Sequence, residues 1–315
     1  MQSINAMPNR SLPKWIGIAL SLTLVFSAIA QASTVDSSDT AQVDILKRIV
    51  MIGASATSGF TNQEPFGGTN TQFLQLNRYV DAAIPAPHES VQNLSSAFFF
   101  TNPQKYSETQ MARALKADPT LVIGLDFLFW SCYGQGSNDV ERLTRFEQGL
   151  KLLENLPCPL VVGDLPDASG AVGKILSAKQ MPSSNALATA NARLATWAAP
   201  RTNVFVISLA NFMRTAAQDE PLAAKHNTFA AGTTRRLLQE DGLHPTTAGC
   251  SVLALAILEA VEAKHNIGKA VKWNPQFIEQ SVADAVRTAQ LAASTNSAAV
   301  KKSAPSEPQR AAQSN

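Results

Sequence analysis

The chain has 315 residues, 45% of them hydrophobic, which is enough for a substantial core. Lys and Arg number 26 against 24 Asp and Glu, a balance that leaves no basic surface for nucleic acid and no acidic run for storing cations. Three cysteines, Cys132, Cys158 and Cys250, are an odd count without metal-like spacing, so they form no disulfide framework. A Cys132–Cys158 bridge stays open beside buried free thiols.

Residues 1–14 are polar and carry two cations, Arg10 and Lys14. The apolar run "WIGIALSLTLVFSAIA" follows, then small residues that suit cleavage after Ala30 or Ala32. This is the pattern of a secretory signal peptide over 1–32, so the protein is expected to be periplasmic or secreted. The run is 16 residues long, against about 20 for a membrane span, so no stable span is expected after cleavage; an uncleaved anchor is the alternative. No cysteine follows the run, which argues against lipid attachment there. Residues 1–32 contain no acid, so their removal leaves bases and acids equal in number.

Residues 33–46 read as an exposed leader. Short, nearly continuous apolar runs then predict strands at 48–53, 120–126, 159–165 and 203–209, with a weaker one at 89–94. Strands covered on both faces have this character. Helical periodicity separates them. "NTQFLQLNRYVDAAI" aligns Phe73, Leu76, Val80 and Ile84, and similar patterns cover 106–118, 139–156, 184–199 and the stretch after His244. Alternating strand and helix predict a single α/β domain over 47–272 with a five-stranded parallel sheet. Residues 273–293 predict an amphipathic helix through Ile278, Val282, Val286 and Ala289. The remainder, 294–315, lacks large apolar residues and is expected to be disordered.

Two stretches carry candidate chemistry. The first strand ends in "GASATSGF", whose small residues turn the chain sharply at the strand's C-terminal edge, where open α/β sheets bind ligands. Ser55 sits in that turn, and backbone N–H groups around it can hold an oxyanion. The second stretch is "DGLHP". A serine hydroxyl needs a base to take its proton, histidine is the natural base near neutral pH, and a carboxylate on its other nitrogen orients it. Asp241, three residues before His244, can supply that carboxylate. Pro245 suits the first turn of the following helix.

A serine after the first strand, with Asp-x-x-His-Pro before the last long helix, resembles the SGNH (GDSL-type) hydrolase family, from about Arg48 to Lys264. The resemblance implies a flavodoxin-like three-layer α/β/α domain. It also implies ester hydrolysis by Ser55 as nucleophile, His244 as general acid/base and Asp241 as its orienter, without metal or organic cofactor. The expected substrate is a small-molecule, lipid or glycan ester. The chain departs from the family at three places. Ala54 replaces the aspartate of the Gly-Asp-Ser-Leu block. Ser95 or Ser96 stands where a glycine N–H normally faces the oxyanion. In "VIGLDFLFW", Gly124 fits the third block, but Asp126 stands nearest its asparagine. A carboxylate there repels an oxyanion, so Asp126 is expected to act either protonated or by orienting the substrate. The alternative is a catalytically weak or inactive glycan- or lipid-binding relative.

Lesser candidates are Asp164 and Asp167 after the fourth strand, Asn93 as a holder of the second block's turn, and Phe127, Phe129 and Trp130 as an acyl pocket. Asn138 in "GSND" is expected to cap a helix. His88, His226 and His265 have no matched partner in the sequence and read as surface residues.

Overall fold

Short runs of aliphatic residues build five parallel strands: β1 (Ile49–Met51), β2 (Gln92–Asn93), β3 (Leu121–Gly124), β4 (Leu160–Gly163) and β5 (Val204–Ile207). They lie side by side in the order β2-β1-β3-β4-β5, the order of a flavodoxin-like doubly wound sheet. Met51 stands opposite Asn93 on one side and Ile123 on the other, and Val162 opposite Gly124 and Val206. The computed structural model describes residues 44–136 and 138–303. The expected signal peptide, residues 33–43 of the leader and residues 304–315 of the tail lie outside the described residues.

The helices are α1 (Ser55–Ser58), α2 (Leu76–Ala83), α3 (Pro103–Lys116), α4 (Phe129–Cys132), α5 (Asp139–Leu153), α6 (Ser184–Ala198), α7 (Leu209–Gln218), α8 (Thr247–Glu262) and α9 (Pro275–Ser303). Side chains alternate between faces along each strand. Ile49, Met51, Leu121, Ile123 and Phe205 pack with α2, α7, α8 and α9. Val50, Ile52, Val122, Leu160 and Val162 pack on the other face with α3, α5 and α6. Both faces are thus dry, which explains why the strands read as unbroken apolar runs. Among the described residues no helix is long and apolar enough to cross a membrane.

Local chemistry sets the helix starts. Asn102 accepts from the Lys105 N–H and Pro103 opens α3. Asn138 accepts from the Glu141 N–H at the head of α5, as expected, and Ser183 and Ser208 do the same for α6 and α7.

The structure departs from the sequence reading in several places. Helix α7 begins where the fifth strand was expected to end, because Ser208 caps it. A small hairpin, β6 (Leu222–Ala223) with β7 (Thr228–Phe229), occupies a stretch with no predicted element. Residues 44–46 are not exposed leader: they form a 3₁₀ turn that buries Ile45 and Leu46 against the first face. Helix α9 runs through 303, ten residues into the expected tail, a stretch whose Ala298, Ala299, Lys301 and Lys302 are good helix formers. All three cysteines are free and buried, so the Cys132–Cys158 bridge does not form. Burial pushes both of those thiols up to about 11.

Candidate active site

Three strand ends meet at the site. After β1 the chain enters a tight turn in which Gly53 adopts φ +144°. A Cβ there would lie 2.1 Å from Asp126 Oδ1, so only glycine fits. Gln110 on α3 clamps the same residue from both sides: its Oε1 accepts the Gly53 N–H at 2.7 Å and its Nε2 donates to the Gly53 carbonyl at 2.9 Å. Asp126, at the end of β3, lies under the turn. Its Oδ1 accepts from the Ala54 N–H at 2.8 Å and from Thr57 Oγ1 at 2.6 Å. Its Oδ2 accepts from the N–H groups of Ala56 at 2.8 Å and Thr57 at 3.2 Å. These are the free amides of the first turn of α1, and a carboxylate is the natural partner for them.

Asp126 therefore corrects the expectation drawn for it. Both its oxygens accept hydrogen bonds from the turn that carries Ser55, so the carboxylate is held by that turn as an acceptor rather than placed as a donor to an oxyanion. It skips one amide: the Ser55 N–H has no acceptor among the described residues.

The other two expected oxyanion positions also change. Gly124 ends β3, where an added Cβ would press on Ile52 and Phe127 at 3.3 Å; it is a packing position and lines neither cleft beside Ser55. Ser96 has spent its N–H on the Gly53 carbonyl at 3.1 Å, and its Oγ accepts the Phe98 N–H. The next amide, Ala97, opens a 3₁₀ turn, has no acceptor among the described residues, and faces the same cleft as Ser55. Asn93 holds this turn as expected, accepting from the Ser95 N–H at 3.0 Å and donating to Asn77 at 3.1 Å.

His244 and Asp241 come from the loop before α8. Asp241 Oδ1 accepts from the N–H groups of Leu243 (2.8 Å) and His244 (2.9 Å), and Oδ2 lies 2.8 Å from His244 Nδ1. His244 Nε2 lies 2.7 Å from Ser55 Oγ. A carboxylate only accepts, so Nδ1 carries the proton and Nε2 faces the serine hydroxyl as an acceptor. Asp241 and His244 are 1% and 2% exposed. Burial alone would raise the Asp241 carboxyl, but the hydrogen bonds from His244 and the two amides outweigh it and hold the group below its ordinary range.

The ring of His244 stacks on Phe60 with centroids 4.1 Å apart. Gln239 Nε2 ties the two segments together, donating to the carbonyls of Phe60 and Pro245 at 2.8 Å each. Pro245 is not in the first turn of α8, as the sequence had implied. It pairs with Leu238 in an antiparallel bridge, and Thr246 caps the helix by accepting from the Gly249 N–H. In the bridge the Gln239 N–H donates to the His244 carbonyl at 2.8 Å and the Thr246 N–H to the Leu237 carbonyl at 3.0 Å, which fixes the backbone on both sides of Pro245.

Ser55, His244 and Asp241 thus form one continuous chain of hydrogen bonds, and Ser55 and Ala97, whose N–H groups have no acceptor among the described residues, line the same cleft. Thr57, Phe60, Ala97, Gln110 and Gln239 went unnoticed in the sequence. Only Gln110 left a signal there, a polar residue on the stripe that α3 buries with Met111 and Ala114.

Of the lesser candidates, Phe129 and Trp130 line the cleft while Phe127 is wholly core. Asp164 caps α7 through Ser208 and the Ala210 N–H, and Asp167 closes a turn on the Ser169 N–H. His226 is paired after all, 2.6 Å from Glu262 and stacked on Trp273. His88 contacts Asp81, and His265 meets the ring of Phe205.

No family model matches the sequence, and no curated protein matches it. Solved structures similar to this chain include a lipase/acylhydrolase from Enterococcus faecalis, 17% identical over 72% of this chain and 98% of that one, with a TM-score of 0.45. A variant of an acetyl-xylooligosaccharide esterase from Geobacillus Stearmophilus is also 17% identical, over 72% of this chain and 95% of that one, with a TM-score of 0.41.

Proposed function

We propose that this chain is a divergent SGNH-type hydrolase, an exported serine esterase that cleaves carboxylic esters. One observation carries the reading: Ser55 Oγ lies 2.7 Å from His244 Nε2 while Nδ1 of the same ring lies 2.8 Å from the buried Asp241. Ser55 Oγ attacks the ester carbonyl as its proton passes to Nε2. Asp241 stabilises the imidazolium that forms. The oxyanion is held by the N–H groups of Ser55 and Ala97. Collapse breaks the carbon–oxygen bond to the alcohol, which leaves with the proton from Nε2. Water then attacks the acyl-enzyme, giving its proton to Nε2, and the acid is released as Ser55 Oγ regains a proton.

The rival reading, a ligand-binding relative without activity, drew its support from a carboxylate facing the oxyanion. Asp126 turned towards the α1 amides supports the esterase instead. The test is hydrolysis of short p-nitrophenyl esters by the purified protein beside Ser55→Ala. Turnover by the natural chain and none by the variant is expected; equal turnover by both would remove Ser55 from the mechanism.

A further inference from the structure

Two clefts meet at Ser55, and they differ in size. The smaller, about 40 Å³, is walled by Leu125, Phe129, Phe212, Met213 and Leu253. The larger, about 230 Å³, runs from Phe60 past Phe66, Phe100 and Leu176. Trp130 borders both. At about 10–15 Å³ for each water-sized group, the smaller cleft holds about three such groups.

The mouth of the larger cleft is an aromatic surface. Phe66, Phe98 and Phe100 are 63%, 40% and 43% exposed. Phe66 stacks on Phe98 with centroids 5.0 Å apart, and Phe100 leans on Trp130 at 5.8 Å. Leaving such rings partly in water is costly relative to burial. A contiguous exposed apolar patch of this kind marks a binding surface.

Charge is missing from both walls. Among the described residues that line the two clefts, the ionisable side chains are His244 and Asp126 alone, and Asp126 is committed to the nucleophile turn. No cation stands ready for a carboxylate or phosphate on the substrate, and no free anion for an amine.

We infer that the site selects uncharged esters, with a short acyl group of up to about four carbons in the small cleft and a flat apolar alcohol along the phenylalanine rim. This rests on the esterase reading above. The acyl group stays bonded to Ser55 until water releases it, so the tighter cleft suits it; the alcohol leaves midway through each turnover and suits the wider, rimmed cleft.

The experiment measures kcat/KM on the full chain for p-nitrophenyl acetate, butyrate and octanoate, and for ethyl against 2-phenylethyl acetate, whose leaving groups have similar basicity. The monosuccinate ester of p-nitrophenol and butyrylcholine serve as charged probes. Octanoate is expected at least about 10-fold below butyrate, since a misfitting methylene costs that much or more. The 2-phenylethyl ester should exceed the ethyl ester, a preference that Phe66→Ala and Phe98→Ala reduce. Both charged esters should be at least about 10-fold slower than neutral ones. Met213→Ala should raise the octanoate-to-butyrate ratio; the acyl series on the natural chain stands even if that variant fails to fold. Octanoate cleaved as fast as butyrate, or charged esters as fast as neutral ones, overturns the inference while leaving the esterase reading intact. No cleavage of any ester, with no labelling of Ser55 by a fluorophosphonate, overturns both.

Discussion

Asp126 lies under the turn that carries Ser55 and holds that turn with both carboxylate oxygens. Near this place the family that the sequence resembles carries an asparagine that donates to the oxyanion; in this chain a carboxylate faces three amides and a hydroxyl. Asp126→Asn would turn an NH₂ group towards N–H donors and loosen the nucleophile turn. We expect kcat to fall about 10²-fold, the scale of a small misplacement at a reacting centre, with KM for p-nitrophenyl butyrate little changed. A rise in kcat would show that residue 126 wants to be an oxyanion donor. Asp241 predicts a pH effect. Its carboxyl titrates lower in the folded protein than unfolded, so it adds stability above the unfolded value of about 3.9 and loses it as pH falls through the folded value. Urea unfolding of the natural chain and Asp241→Asn should therefore differ most near neutrality and converge below about pH 4. Ser55, Asp241 and His244 were legible as candidates because a serine after the first strand and Asp-x-x-His-Pro before the last long helix resemble a known family's pattern. Their supports were not: Gln110 and Gln239 act through contacts 57 and 179 residues apart in the chain, and nothing local announces such a contact.

At the level of elements, the strands were visible wherever burial on both faces left an unbroken apolar run. Helix α7 was missed because Leu209 and Phe212 continue the apolar character of β5, and only the Ser208 cap separates them. The β1–α1 junction tolerates little change. Gly53→Ala places a Cβ against Asp126 and forces a residue with φ +144° into strain. It should cost at least about 2 kcal/mol in urea unfolding and lower activity in the fraction that stays folded. The C-terminal helix is part of the first core face rather than an appendage, because Ile278, Val282 and Val286 are fully buried there. Ile278→Ala should destabilise the protein by about 2–5 kcal/mol; an unchanged midpoint would mean that α9 packs elsewhere in solution.

For the whole molecule, the alternation of strands with amphipathic helices was enough to name the sheet and its layers, since each follows from which faces must be dry. The order of the strands came only with the structure, apart from what the family resemblance implied. The export proposal is a statement about the whole chain too: the mature N-terminus, read by mass spectrometry, should follow Ala30 or Ala32. The proposed chemistry stands on a buried carboxylate, an imidazole and a hydroxyl acting as one relay to make Ser55 nucleophilic. The most direct measurement is reaction of the purified protein with a fluorophosphonate, followed by peptide mass spectrometry. A single adduct on Ser55 is expected, formed at least about 10³-fold more slowly in His244→Ala and absent in Ser55→Ala. No adduct on the natural chain, or an adduct on Ser55 formed equally fast without the imidazole, would contradict it.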